Sequence, residues 1–183
     1  MEFLPLKVRG AYEIIPKSFG DERGYFVTLF DLNLFAQQGL QTEWLRENQS
    51  GNSVRGIIRG LHFQRPPHDE TKLVRCVVGE VFDVLVDLRK SSPTYGVWDG
   101  VMLSAERFNQ IYIPRGCAHA YCTISEESIV AYLVDGNYVP KAEGGIRWDD
   151  PTLQIDWHLK GEPILSGKDR KWPLLREFES PFD

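Results

Sequence analysis

The segment from Lys72 to Leu88 constrains the fold most. Leu73-Val74-Arg75-Cys76-Val77-Val78 and Val81-Phe82-Asp83-Val84-Leu85-Val86-Asp87-Leu88 are rich in β-branched and apolar residues, and Gly79-Glu80 stands between them. Two such runs around a glycine predict a pair of strands joined as a hairpin. Side chains along a strand alternate in direction. Phe82, Val84, Val86 and Leu88 therefore share one face of the second run, and Val81, Asp83, Leu85 and Asp87 share the other. A face carrying two carboxylates either lines a cavity or meets solvent.

Similar signals recur along the chain. Strands are expected at Tyr12–Ile15, Tyr25–Phe30, Val97–Leu103, Asn109–Pro114, Ala118–Ile124 and Ser128–Val134, with a turn at Gly20-Asp21-Glu22-Arg23-Gly24. Eleven prolines and sixteen glycines supply further turns. One short helix is expected over Asp31–Gln38, with Asp31 as N-cap and Gly39 ending it. Many short strands and little helix indicate an all-β sandwich or barrel. At 183 residues one domain, 1–183, accommodates the chain and a substantial core. The stretch from Gly144 onward has mixed signals and is expected to cover one end of the barrel.

The formal net charge of −5 argues against nucleic acid or an anionic membrane as partner. The start, Met1-Glu2-Phe3-Leu4-Pro5-Leu6-Lys7, lacks the basic and apolar regions of a signal peptide, and no segment has the length of a membrane span. Cys76, Cys117 and Cys122 are odd in number and without CxxC spacing. They read as core fillers in a reduced, cytoplasmic protein.

Only four histidines are present, His62, His68, His119 and His158. One of them stands in Arg59-Gly60-Leu61-His62-Phe63-Gln64, and Lys72 follows ten residues later. A neutral imidazole can take a proton near pH 7. An ammonium can stabilise the negative charge left behind. An arginine can hold an anionic handle such as a phosphate. These residues fit proton abstraction from an anionic substrate. They fit equally a strand histidine among surface cations. A metal site is not favoured, since no two histidines lie within five residues of each other. No Gly-x-Ser-x-Gly, GxGxxG or GxxxxGK[ST] is present. His119 and Tyr132 read as core residues as readily as functional ones.

The chain resembles the dTDP-4-dehydrorhamnose 3,5-epimerase family of cupin-fold sugar-nucleotide epimerases. The blocks that carry the resemblance include Gly20–Phe26, Arg59–Gln64, Lys72–Arg75, Gly79–Val84, Val86–Arg89, Ser92–Gly96, Gly145–Pro151 and Ile155–Trp157, and they run over nearly the whole chain. The resemblance implies a cupin-type β-barrel (jelly roll) with a few short helices. It also implies a homodimer, and an epimerase that needs neither metal nor redox cofactor. Its substrate would be a nucleoside-diphosphate 4-keto-6-deoxyhexose. Removing the hydrogen at C3 or C5, both beside the C4 ketone, gives an enolate with its charge on the C4 oxygen. By resemblance His62 is the base, Asp169 its partner, Lys72 the partner of the C4 oxygen, and Tyr132 the acid on the opposite face. Arg59 and Arg23 would hold the diphosphate, and His119 would line the sugar pocket. Phe26, Asn48 and Tyr138 join them as substrate-binding side chains.

Two departures from the family pattern bear on the substrate. Thr28 stands where the family commonly has a glutamate suited to thymine N3–H, and Arg46 where it commonly has a glutamine. An arginine suits the acceptor N3 of cytosine, so a CDP- or GDP-linked sugar stands beside the dTDP-linked one. After Tyr132, Leu133 and Asn137-Tyr138 replace the usual lysine and Tyr-Tyr pair. That leaves open inversion at C3 and C5 or at one of them.

Overall fold

A computed structural model describes residues 1–183. Its strands in chain order are β1 (Glu2–Pro5), β2 (Tyr12–Ile15), β3 (Ser18–Asp21), β4 (Gly24–Val27), β5 (Arg46–Asn52), β6 (Ile58–Gln64) and β7 (Lys72–Val78). They continue with β8 (Glu80–Asp87), β9 (Trp98–Ser104), β10 (Gln110–Ile113), β11 (Cys117–Thr123), β12 (Ser128–Val134) and β13 (Glu143–Gly145). One sheet has the order β1-β2-β10-β7-β12-β5, a second has β13-β6-β11-β8-β9, and β3 pairs only with β4. All of these pairings are antiparallel. The two sheets form the jelly-roll barrel of a cupin. The helix α1 (Leu32–Gln37) is capped as expected: the Asp31 side chain accepts from Asn33 N and Leu34 N, and Gly39 has φ +68°.

The alternation in β8 sorts two apolar layers. Val81 and Leu85 enter a cluster with Val74, Ile111, Ile113 and Val130, which fills the space between the sheets. Phe82, Val84, Val86 and Leu88 face the other way, against Ile146, Leu153, Trp157 and Phe182. The inward face also carries Asp83 and Asp87, both at 0% exposure. The carboxylate face thus belongs to the barrel interior and not to solvent.

Two expectations are corrected. The runs at 73–78 and 81–88 do not form a hairpin. β7 pairs with β10 and β12, while β8 pairs with β11 and β9 in the opposite sheet. A single residue, Gly79 (φ +72°), turns the chain from one sheet to the other. A side chain there would put its Cβ 2.2 Å from both Glu127 O and Ser125 Oγ, so only glycine fits. The second concerns the extent of the C-terminal stretch. Besides bordering the barrel cavity with Leu165, Ser166, Lys168 and Asp169, as expected of a cover at one end, it also lies over the outer face of the second sheet, because that face of β8 and β11 is continuously apolar. Strands β1, β3, β5, β6 and β13 come in addition to those expected, and the strand expected over Tyr25–Phe30 ends at Val27.

Candidate active site

Opposed side chains from the two sheets meet in one cavity of about 630 Å³. From the second sheet come His62 on β6 and His119 on β11, which are register partners on adjacent strands. From the first come Lys72 on β7 and Tyr132 on β12, with Lys72 Nζ 5.9 Å from the Tyr132 ring centre. Arg59, Asp169 and Glu143 add to the polar lining, with Ser50, Tyr121, Ser166 and Lys168. An adjoining recess of about 320 Å³ shares His62, Lys72, Tyr132 and Glu143, and extends to Arg46, Asn48 and Tyr138.

His62 Nε2 lies 2.5 Å from Asp169 Oδ1. Asp169 opens a 3-10 turn (Asp169–Lys171) and its backbone N–H donates to Ser166 Oγ. Burial acts to raise the Asp169 carboxyl. The hydrogen bond and charge of His62, with help from Ser166, outweigh that and hold it below the usual carboxylate range. A carboxylate on one ring nitrogen fixes the tautomer and leaves Nδ1 for chemistry. His119 has its own partner: Nε2 lies 3.0 and 2.9 Å from the two oxygens of Asp83. Burial pushes the Asp83 carboxyl up, against the pull of His119 and Lys72. Burial also raises the Tyr132 phenol, as do Tyr121 and Glu70, against Arg46 and Arg59. The phenol therefore stays protonated at neutral pH and can donate.

Arg59 is aimed by its neighbours. Nε donates to Asn52 Oδ1 at 2.9 Å and Nη2 to Gly51 O at 3.3 Å. Arg46 is engaged with Gly136 O and Glu70 at the far side of the recess. The arm carrying Arg23 and Phe26 stands apart. Arg23 has an 86% exposed side chain paired only with Asp21, and Phe26 is 69% exposed. Both line a different recess, with Phe19 and Tyr25, away from His62. Thr28 follows β4 at an exposed position and lines none of these recesses. His62, Lys72, Tyr132, Asp169, Arg59, His119, Asn48, Tyr138 and Arg46 are thus brought together within one chain, and Arg23, Phe26 and Thr28 are not.

Several lining groups escaped the sequence reading. Glu143 receives Lys168 at 2.6 Å and the Tyr138 hydroxyl at 3.4 Å. Glu70 approaches Lys72 at 3.5 Å. Glu70 had a usable signal, since residues two apart in an extended segment point the same way. The cysteines behave as expected of core fillers. All three are free and buried, and burial raises Cys76 to about 11, Cys117 to about 12 and Cys122 to about 11.

Comparison with known proteins extends the geometry. The model of the family described as dTDP-4-dehydrorhamnose 3,5-epimerase matches residues 5–177. A dTDP-4-dehydrorhamnose 3,5-epimerase from Methanothermobacter thermautotrophicus is 47% identical over 96% of this chain and 95% of its own. A dTDP-4-dehydrorhamnose 3-epimerase from Streptomyces niveus is 41% identical over 97% of this chain and 85% of its own. Among solved structures, the dTDP-6-deoxy-D-glucose-3,5-epimerase of Legionella pneumophila, in complex with dTDP-4-keto-L-rhamnose, superposes with a TM-score of 0.91. It is 38% identical, with 97% of this chain and 94% of that one covered. On the strength of a match that runs almost from end to end, the chain belongs to the dTDP-4-dehydrorhamnose 3,5-epimerase family.

Proposed function

We propose that this protein inverts C3 and C5 of dTDP-4-dehydro-6-deoxyglucose to give dTDP-4-dehydro-L-rhamnose, without metal or redox cofactor. The observation that carries the reading is that His62 with Asp169 and Tyr132 with Lys72 come from opposite sheets onto one cavity. A base on one side and an acid on the other are what inversion needs. His62 removes the proton beside the ketone. Lys72 meets the charge that develops on the C4 oxygen. Tyr132 returns a proton to the opposite face, and His62, now charged, is stabilised by Asp169. Arg59 holds the diphosphate and His119 lines the sugar pocket. Asn48 and Tyr138 border the adjoining recess.

The nucleotide is read as dTDP-linked. Arg46 already spends its guanidinium on Gly136 O and Glu70, which argues against its reading a cytosine, and the relatives compared carry dTDP names. The 183 residues act as one catalytic domain, and two copies form a homodimer. An arm with Phe19, Tyr25 and Phe26 all exposed supports that assembly. If Arg23 shares the diphosphate with Arg59, the arm must enter the cavity of a second copy. Three free, buried cysteines fit a cytoplasmic setting; no helix is long and apolar enough to cross a membrane.

The test is NMR of dTDP-, CDP- and GDP-linked 4-keto-6-deoxysugars incubated with the protein in deuterated water. Deuterium at both C3 and C5 of the dTDP compound is expected. Label at C3 alone would make it a 3-epimerase like the Streptomyces niveus relative. Preference for another nucleotide would overturn the base assignment.

A further inference from the structure

Three donors from three strands converge on the carboxylate of Glu70. Its Oε1 lies 3.5 Å from Lys72 Nζ. Its Oε2 lies 3.4 Å from Arg46 Nη2 and 3.2 Å from Gln64 Nε2. The site is largely out of water, with the Glu70 side chain 11% exposed and Lys72 13%. Two of the donors are themselves tethered. Gln64 Oε1 accepts from Val139 N at 2.7 Å, while its Nε2 also reaches Asn137 O and His68 O. Arg46 Nε donates to Gly136 O at 3.0 Å. Glu70 therefore cannot turn toward one partner without losing the others.

Two cations share this one anion, beside the acid Tyr132. Charges leave water at large cost unless they are paired. A lysine ammonium on a flexible stem has no geometry of its own. Stabilising an enolate, by contrast, requires a cation fixed in place before the charge forms. We infer that Glu70 is a positioning residue that anchors the Lys72 ammonium toward the enolate oxygen, with Arg46 as its counter-cation. Arg46 then belongs to the charge balance of the catalytic lysine and not to recognition of the base. The inference rests on the enolate reading above and adds the group that makes Lys72 effective.

The test compares Glu70→Gln, Arg46→Gln and the double variant. Glu70→Gln keeps the shape and leaves two cations without their anion. Its kcat is expected to fall about tenfold to a hundredfold while KM stays within about threefold, the mark of an interaction made in the transition state. Removing Arg46 as well leaves Lys72 still without its anchor, so the double variant is expected to be no faster than Glu70→Gln, while Arg46→Gln, which keeps the Lys72–Glu70 pair, loses less kcat than Glu70→Gln. A Glu70→Gln enzyme with unchanged kcat, or a double variant restored toward the parent, overturns the inference. A merely structural role would not split kcat from KM in this way.

A second measurement does not need turnover. The rate at which Lys72 is acylated by an amine-selective reagent is followed by peptide mass spectrometry on folded protein. Loss of the anchoring carboxylate is expected to raise that rate severalfold, because the amine is no longer held against its counter-ion. An unchanged rate overturns the inference. Should the parent protein exchange no substrate hydrogen at all, the epimerase reading fails, and the acylation rate still decides whether Glu70 anchors Lys72. Glu70→Asp serves if Glu70→Gln does not fold, and is expected to show the same kcat loss because the charge is withdrawn by one methylene.

Discussion

His62 Nε2 and Asp169 Oδ1 lie 2.5 Å apart although 107 residues separate them in the chain. The strand β6 supplies one and a 3-10 turn of the C-terminal cover supplies the other. Asp169→Asn keeps the shape but removes the charge that orients and stabilises the imidazolium. We expect kcat to fall about 10²- to 10⁴-fold, the range over which a positioned base contributes, with KM changed little. The pH dependence has a definite sign. Asp169 is held below the usual carboxylate range, so its stabilising interaction is complete above the ordinary value near pH 4 and is lost as pH falls further. Circular dichroism melts from pH 7 to pH 3 should show the parent losing a stabilisation that Asp169→Asn never had; parallel curves would refute it.

In the proposed reaction Tyr132 returns the proton that His62 removes, so a variant can tell the two steps apart. The Tyr132→Phe variant retains His62, Asp169 and Lys72, so hydrogen exchange beside the ketone should continue within about tenfold of the parent rate. Formation of the inverted sugar should fall about 10²- to 10⁴-fold. NMR in deuterated water reads both in one experiment. Equal loss of exchange and inversion would remove Tyr132 from the role of acid on the far face.

These residues differ in how far they could be read from the chain. The strand over Ser128–Val134 and the capped helix after Asp31 were legible because periodicity and capping are local. The shared face of Asp83 and Asp87 was legible for the same reason. What each of them meets was not, since His119 and Arg89 reach them through the sheet and the following loop. β5 (Arg46–Asn52) has no apolar face, being a polar edge strand, so nothing in its pattern marks it as a strand. The 73–88 pair was misjudged because alternation tells which way side chains point and not which strand lies alongside. Asp169 came only from resemblance, as no spacing rule spans 107 residues.

Asp87 should matter to stability more than to turnover. It is fully buried, and both its oxygens are engaged: Arg89 Nε at 2.8 Å and Nη2 at 2.7 Å, with the Ser92 and Thr94 hydroxyls each at 2.6 Å. Burial acts to raise this carboxyl, but the hydrogen bonds from Arg89, Ser92 and Thr94 together outweigh it and leave it lowered. Asp87→Asn removes the anion and strands the guanidinium, which should cost about 3–5 kcal/mol. Urea unfolding at pH 7 should show an earlier midpoint at unchanged slope. Since the carboxyl is lowered, the difference between parent and variant should shrink as pH drops below about 4. A midpoint within error of the parent at pH 7 would show that the network contributes little.

The position of Arg23 can be resolved by mixing two impaired proteins. Arg23 sits on an exposed arm, paired only with Asp21 and outside the cavity that holds Arg59 and His62. In a homodimer whose arms cross, a cavity takes His62 from one copy and Arg23 from the other. Arg23→Ala should then raise KM about tenfold to a hundredfold, the loss of one charge-assisted contact of about 1.5–3 kcal/mol, and His62→Ala should abolish turnover. Unfolding and refolding an equal mixture of the two gives about half mixed dimers. In each of those, one cavity has both residues intact and the other has neither, so about a quarter of the parent sites should return. Recovery of parent-like KM in the mixture, at reduced kcat per chain, places the arm in the partner. If Arg23 served the cavity of its own chain, no combination of the two variants would assemble an intact site, and the mixture would stay at the KM of Arg23→Ala alone.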